Sequence, residues 1–151
     1  EFMPGFRVVN SSATVDCNPN SDFVYKIKPD VTVYCNDSDP GVQTDSSLVE
    51  IFIKFKLQSG DDPFCPLHNI QHDGRSVKTF LHETKGAVDT LGQITSYAAV
   101  QLGAQFHTHV YFVLIVQDKA RILRWDRSGT IMTESINFNN EPLLAEFFRR
   151  Y

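Results

Sequence analysis

Five side chains in this sequence are spaced so that folding can bring them together. Asp30 follows Pro29 at an extended segment. Lys54 and Lys56 lie two apart in another such segment, and Gln93 and Tyr97 lie four apart in a helical pattern. Residues two apart on a strand share a face, and residues four apart on a helix are neighbours. Glu50, Phe52, Lys54 and Lys56 therefore point one way, and Ile51, Ile53, Phe55 and Leu57 the other. The second set reads as core. The first sets two lysines side by side, next to whatever place Asp30 takes on the neighbouring strand. Such lysines are more often a solvated strand face, but beside a carboxylate they can bind a phosphate or pair with the acid.

The remaining clusters carry less chemistry. His107 and His109 flank Thr108 at strand spacing, but no Cys or His partner is spaced to complete a zinc site. Arg121, Arg124 and Arg127 gather around one predicted hairpin, where Asp118 and Asp126 can neutralise them. Asp61-Asp62-Pro63 reads as a turn that closes a strand.

The elements that must position these groups follow from hydrophobic period. Leu91, Ile94, Ala98 and Leu102 recur at helical spacing with Tyr97 beside them, inside a helix expected over about 83–104. His109 to Val116 is nearly all apolar and rich in β-branched and aromatic residues, which suits a central strand. A polar turn at 117–119 sends the chain back through Ala120 to Trp125. Strands are also expected at 6–9, 23–28, 31–35, 48–57 and 130–135. The stretch 64–75 reads as irregular, with Ser76 available to cap a helix. Pro142 fits the first turn of a last helix, whose Phe147 and Phe148 mark an interface if they are exposed. The order predicts an α+β or α/β domain, a mixed sheet with a helix packed on one face.

Length and composition are consistent with one domain having a Phe-rich core, since the chain has 151 residues and 12 Phe. Glu1-Phe2 ahead of Met3 reads as a cloning scar, which leaves 3–151 as the domain. The net charge of −4 argues against a strong non-specific nucleic-acid binder, because such binding is mostly phosphate neutralisation. Cys17, Cys35 and Cys65 form no CxxC pair, and no signal peptide or long apolar run is visible, so an intracellular, non-membrane protein is expected.

The ordered set Pro29-Asp30, Lys54-Phe55-Lys56 and Gln93-Ile94-Thr95-Ser96-Tyr97 resembles the PD-(D/E)xK nuclease pattern. The resemblance implies a restriction-endonuclease-like fold in which Asp30 is a Mg²⁺ ligand, Lys56 acts near the scissile phosphate, and Gln93 and Tyr97 face the site. The departure lies at Lys54, which stands where the second acid belongs. Mg²⁺ takes oxygen ligands, and an ammonium group repels it. Glu50 is about 13 Å along the strand from Lys54. Asp61 and Glu83 are the other acids open to a relocated role.

A second resemblance spans about 27–151. The segments IKPDVTVY, IFIKFKLQSGDDPF, GQITSYAAVQLGAQFHTHVYFVLI, ARILRWDRSGTIMTE and LLAEFFRRY are similar to the region ahead of the kinase core in fungal-type protein kinases. It implies a fungal source and an accessory domain. No Gly-rich nucleotide loop, VAIK lysine, HRD loop or DFG is present, so no kinase core is expected. The expectation is a degenerate nuclease-like binding or regulatory module without a cofactor, with a protein or nucleic-acid partner and dimerisation left open. The alternative is a Mg²⁺-dependent nuclease acting on DNA or RNA.

Overall fold

A computed structural model describes residues 3–16, 27–41 and 43–151. Its elements are β1 (Phe6–Asn10), β2 (Val31–Cys35), β3 (Val49–Lys56), β4 (Phe64–His72), β5 (Arg75–Leu81), α1 (Lys85–Ala104), β6 (His109–Val116), β7 (Lys119–Asp126), β8 (Gly129–Met132), β9 (Ile136–Asn137) and α2 (Leu143–Arg150). Strands run in the order β1-β2-β3-β6-β7-β8, with β9 added to β7. Among the named strands of this sheet only the β3–β6 pairing is parallel; the others are antiparallel. Parallel neighbours need a long crossover, and here it contains α1. The fold is α+β with a mixed sheet, as expected.

The expected strand at 23–28 falls mostly outside the described residues; Ile27 and Lys28 are described and lie in no strand. The stretch 64–75 is not irregular. It opens a two-stranded sheet, β4 paired with β5, and Ser76 sits in β5 rather than capping a helix. Asp73 and Gly74 both take positive φ, at 49° and 73°. That turn chemistry was present in the sequence as Asp-Gly. The helix cap lies at Thr84, whose hydroxyl accepts from the Ala87 amide at 3.2 Å.

Both faces of the sheet are covered. On one face α1 brings Ile94, Tyr97 and Val100 onto Tyr34, Phe52, Phe112, Leu114 and Leu123. On the other, α2 brings Phe148, with Leu144 and Phe147, onto Val33, Ile51, Ile53 and Val113. Phe148 is buried and Phe147 half-buried among Tyr111 and Tyr151. The expected division of β3 into a core face and a polar face therefore needs correction. Phe52 is core as well, while Phe55 and Leu57 are exposed.

A β-bulge adds a second correction. Val33 pairs with Ile51, but the adjacent Tyr34 pairs with Val49, so Glu50 is the extra residue. Val49 joins the α1-side core. Glu50 turns instead to Tyr151, whose hydroxyl meets Oε2 at 3.1 Å. Desolvation of the Tyr151 phenol, and then the neighbouring Glu50 carboxylate, hold its pKa above the usual tyrosine value. Two glutamines one helical turn apart close the bulge: Gln101 Nε2 donates to Val49 O at 2.7 Å and Glu50 O at 3.0 Å, and Gln105 Nε2 to Ser46 O at 2.8 Å and Val49 O at 2.7 Å.

Candidate binding groove

The segment Ile27–Asp30 runs into β2 and is pinned from two sides. The Tyr97 hydroxyl donates to Lys28 O at 2.6 Å and accepts from Lys28 N at 3.3 Å. Ser11 supplies the other side, its amide donating to Asp30 O at 3.0 Å and its hydroxyl to Pro29 O at 3.2 Å. Tyr97 can reach Lys28 because its ring is fixed between Phe52 and Phe112, with centroids 5.5 and 6.1 Å away. Burial pushes its phenol up to about 12.

Asp30 is thereby set at the end of the β2–β3 ladder. Its Oδ2 accepts from the Phe55 amide at 2.8 Å, just past the last register pair, Val31 with Ile53. Its Oδ1 accepts from Lys54 Nζ at 2.8 Å, a pair whose side chains are 14% (Lys54) and 27% (Asp30) exposed. Lys54, at the position where the sequence pattern asked for a second acid, thus forms an ion pair with Asp30.

Next to this pair a groove of about 630 Å³ opens between α1 and the sheet, walled by Lys28, Lys54, Asp89, Gly92, Gln93 and Tyr97 among others. The structure brings Lys54, Gln93 and Tyr97 to one site, with Asp30 behind Lys54. Gln93 Oε1 is buried and has no hydrogen-bond partner. Lys56 is one pleat further on, about 7 Å along the strand, and does not wall the groove. Glu50 is turned away by the bulge, and neither Asp61 nor Glu83 reaches the groove wall. The carboxylate that does is Asp89, which the sequence reading missed. Its spacing of four from Gln93 on one helix was the available signal. Asp89 is itself engaged by Lys85 at 2.6 Å.

Mg²⁺ does not fit this donor set. Each nearby carboxylate already carries an ammonium group, and among the described residues no three His, Cys, Asp or Glu side chains are grouped to hold a metal. Among the described residues His107 and His109 gain no third ligand; His109 is edge-on to Tyr111 and its Nδ1 lies 3.0 Å from the Thr108 hydroxyl.

The arginine cluster also dissolves. Arg121 lies over the Phe64 ring and donates to Asp62, Phe64 O and Thr133 O. Arg124 pairs with Asp126 at 3.1 Å. Bonds from the Ser128 hydroxyl and amide, more than that arginine, hold the Asp126 carboxyl down to about 2.

No protein-family model, curated protein or solved structure matches this chain. Among the described residues, no helix is long and apolar enough to cross a membrane.

Proposed function

We propose that this chain is a non-catalytic, nuclease-like binding or regulatory module, of the kind that precedes a fungal-type kinase core. The observation that carries this reading is the ion pair between Lys54 and Asp30. It converts the place where a metal-dependent nuclease would hold Mg²⁺ into a neutral, internally bonded unit. The restriction-endonuclease-like assignment is part of the same proposal. It is supported by the strand order around α1 and by the meeting of Lys54, Gln93 and Tyr97 beside Asp30.

Two features support use of the groove for binding. Gln93 Oε1 awaits a donor, since a buried carbonyl without one costs about 1–3 kcal/mol. Gly92 sits in mid-helix with no atom near the position of a Cβ, although glycine there costs about 1 kcal/mol relative to alanine. A bare backbone on a groove wall admits close approach by a ligand. Such a ligand would bring an N–H or O–H to Gln93 and an anionic group to Lys28, for which the described residues supply no carboxylate partner.

Titration with Mn²⁺, followed by its electron spin resonance signal, tests the reading together with incubation on single- and double-stranded DNA and on RNA. The expected result is no Asp30-dependent metal binding and no cleavage by the natural chain, with metal binding gained in Lys54→Glu. Metal-dependent cleavage by the natural chain that disappears in Asp30→Ala would overturn it.

A further inference from the structure

The β4–β5 hairpin pairs with no other strand among the described residues. From His68 to Phe80 its side chains are exposed or half-buried on both faces. A two-stranded ribbon of this kind is marginal in water, and a third strand is one way to stabilise it.

Its two outer edges differ. On β4, Pro66 lacks an N–H and the register slips between Phe64 and His68. Both features blunt an edge against further pairing. On β5 the run Arg75–Leu81 has no proline and no slip of its own. The flanking residues of a two-residue turn, here His72 and Arg75, exchange both backbone bonds. Arg75, Val77 and Thr79 therefore bond inward to β4. Ser76, Lys78 and Phe80 turn their N–H and C=O groups outward, and no described residue meets them.

Charge narrows the occupant. Between Phe64 and His82 the formal charges are Arg75 and Lys78 against Asp73, in a chain whose net charge is −4. Three of the five histidines also lie there, at 68, 72 and 82. A second copy docked edge to edge would set one basic strand against another, which cross-strand pairing disfavours. Val77 and Phe80 are 45% and 44% exposed and lie on opposite faces of β5. An added strand would meet apolar surface on both sides.

We infer that β5 is an acceptor edge for an extended acidic segment of a partner protein, bound as a third strand. Backbone bonds to Ser76, Lys78 and Phe80 supply affinity, and side chains supply choice. The segment carries an acid opposite Arg75, an apolar residue opposite Val77, and an acid opposite Lys78. Its two acids are three positions apart on opposite faces. This inference is independent of the groove.

Selection of random decapeptides displayed on phage against the full chain tests it. The expected result is enrichment of sequences with two acids three apart around an apolar residue. Lys78→Pro removes an outward N–H and leaves the inward ladder intact, so it abolishes their binding. Arg75→Glu/Lys78→Glu, which keeps the backbone donors, weakens binding roughly tenfold and shifts enrichment to basic peptides. Enrichment without acids, no enrichment, or binding indifferent to the charge reversal would overturn the inference. So would preferential binding of duplex DNA by the hairpin, or self-association abolished by Lys78→Pro.

Discussion

Lys54 Nζ lies 2.8 Å from Asp30 Oδ1, and the second oxygen of the same carboxylate accepts from the Phe55 amide. The two bonds make unequal predictions for the two partners. Lys54→Met removes one of them and leaves Asp30 partly exposed to water, which softens the loss; about 1 kcal/mol is expected. Asp30→Ala removes both and strands the Phe55 N–H at the end of a ladder, at about 1–3 kcal/mol. Urea unfolding of both variants checks the order. Equal losses would mean that the Phe55 amide finds water or another acceptor.

Tyr97 links helix, sheet and the Asp30 segment through one hydroxyl. Tyr97→Phe leaves Lys28 N and O without that partner and is expected to cost about 1–2 kcal/mol. The pH dependence has a definite sign. Burial raises the folded phenol from 10.0 to about 12. The folded state therefore keeps its proton where the unfolded chain loses it. The stabilisation is fully present below pH 10 and is lost as pH rises through about 12. Burial also raises Tyr34 and Tyr151, so absorbance of the phenolate during alkaline titration should show several late-titrating tyrosines, with one fewer in Tyr97→Phe.

Long periodic stretches were legible in the sequence. The 31–35 strand, the 109–116 strand and the long helix lie where hydrophobic spacing put them, because each buries a continuous stripe. Helical spacing put Gln93 and Tyr97 on one face, but only the resemblance to the nuclease pattern set that face beside the strand carrying Lys54. The Glu50 bulge was not, since strict alternation cannot show an inserted residue, and Glu50 was assigned to the wrong face in consequence. The β4–β5 hairpin was hidden by its exposure: beyond its base at Phe64 and Leu81 the ribbon buries neither face and has no hydrophobic period, and only its Asp-Gly turn announced it. The core value of Phe52 was obscured because helices cover both sides of the sheet, so β3 alternates between two cores near its middle.

Gly92 offers a case where stability and binding should separate. No atom occupies the space a Cβ would take, and the residue lies in mid-helix. Gly92→Ala is expected to stabilise the fold by about 0.5–1 kcal/mol. The same methyl narrows the groove wall beside Gln93. A gain in melting temperature should therefore accompany weaker binding of whatever ligand the groove takes. A loss of stability would mean that the helix there depends on contacts a Cβ disturbs.

Gln101 and Gln105 share one acceptor, Val49 O, and that sharing predicts non-additive losses. Gln101→Leu leaves Glu50 O with only the long bond from the Tyr151 hydroxyl, at 3.5 Å, but Gln105 still holds Val49 O. Gln105→Leu frees Ser46 O, while Gln101 still holds Val49 O. Gln105 also has a buried oxygen with no partner, so its replacement removes one unsatisfied group as it creates another. Gln101→Leu should therefore cost about 1–2 kcal/mol and Gln105→Leu less. Only the double variant orphans Val49 O at the bulge. Its loss should exceed the sum of the single losses by about 1 kcal/mol, measured by a double-mutant cycle in urea. Strict additivity would mean that the bulge carbonyl is satisfied by something other than these two side chains.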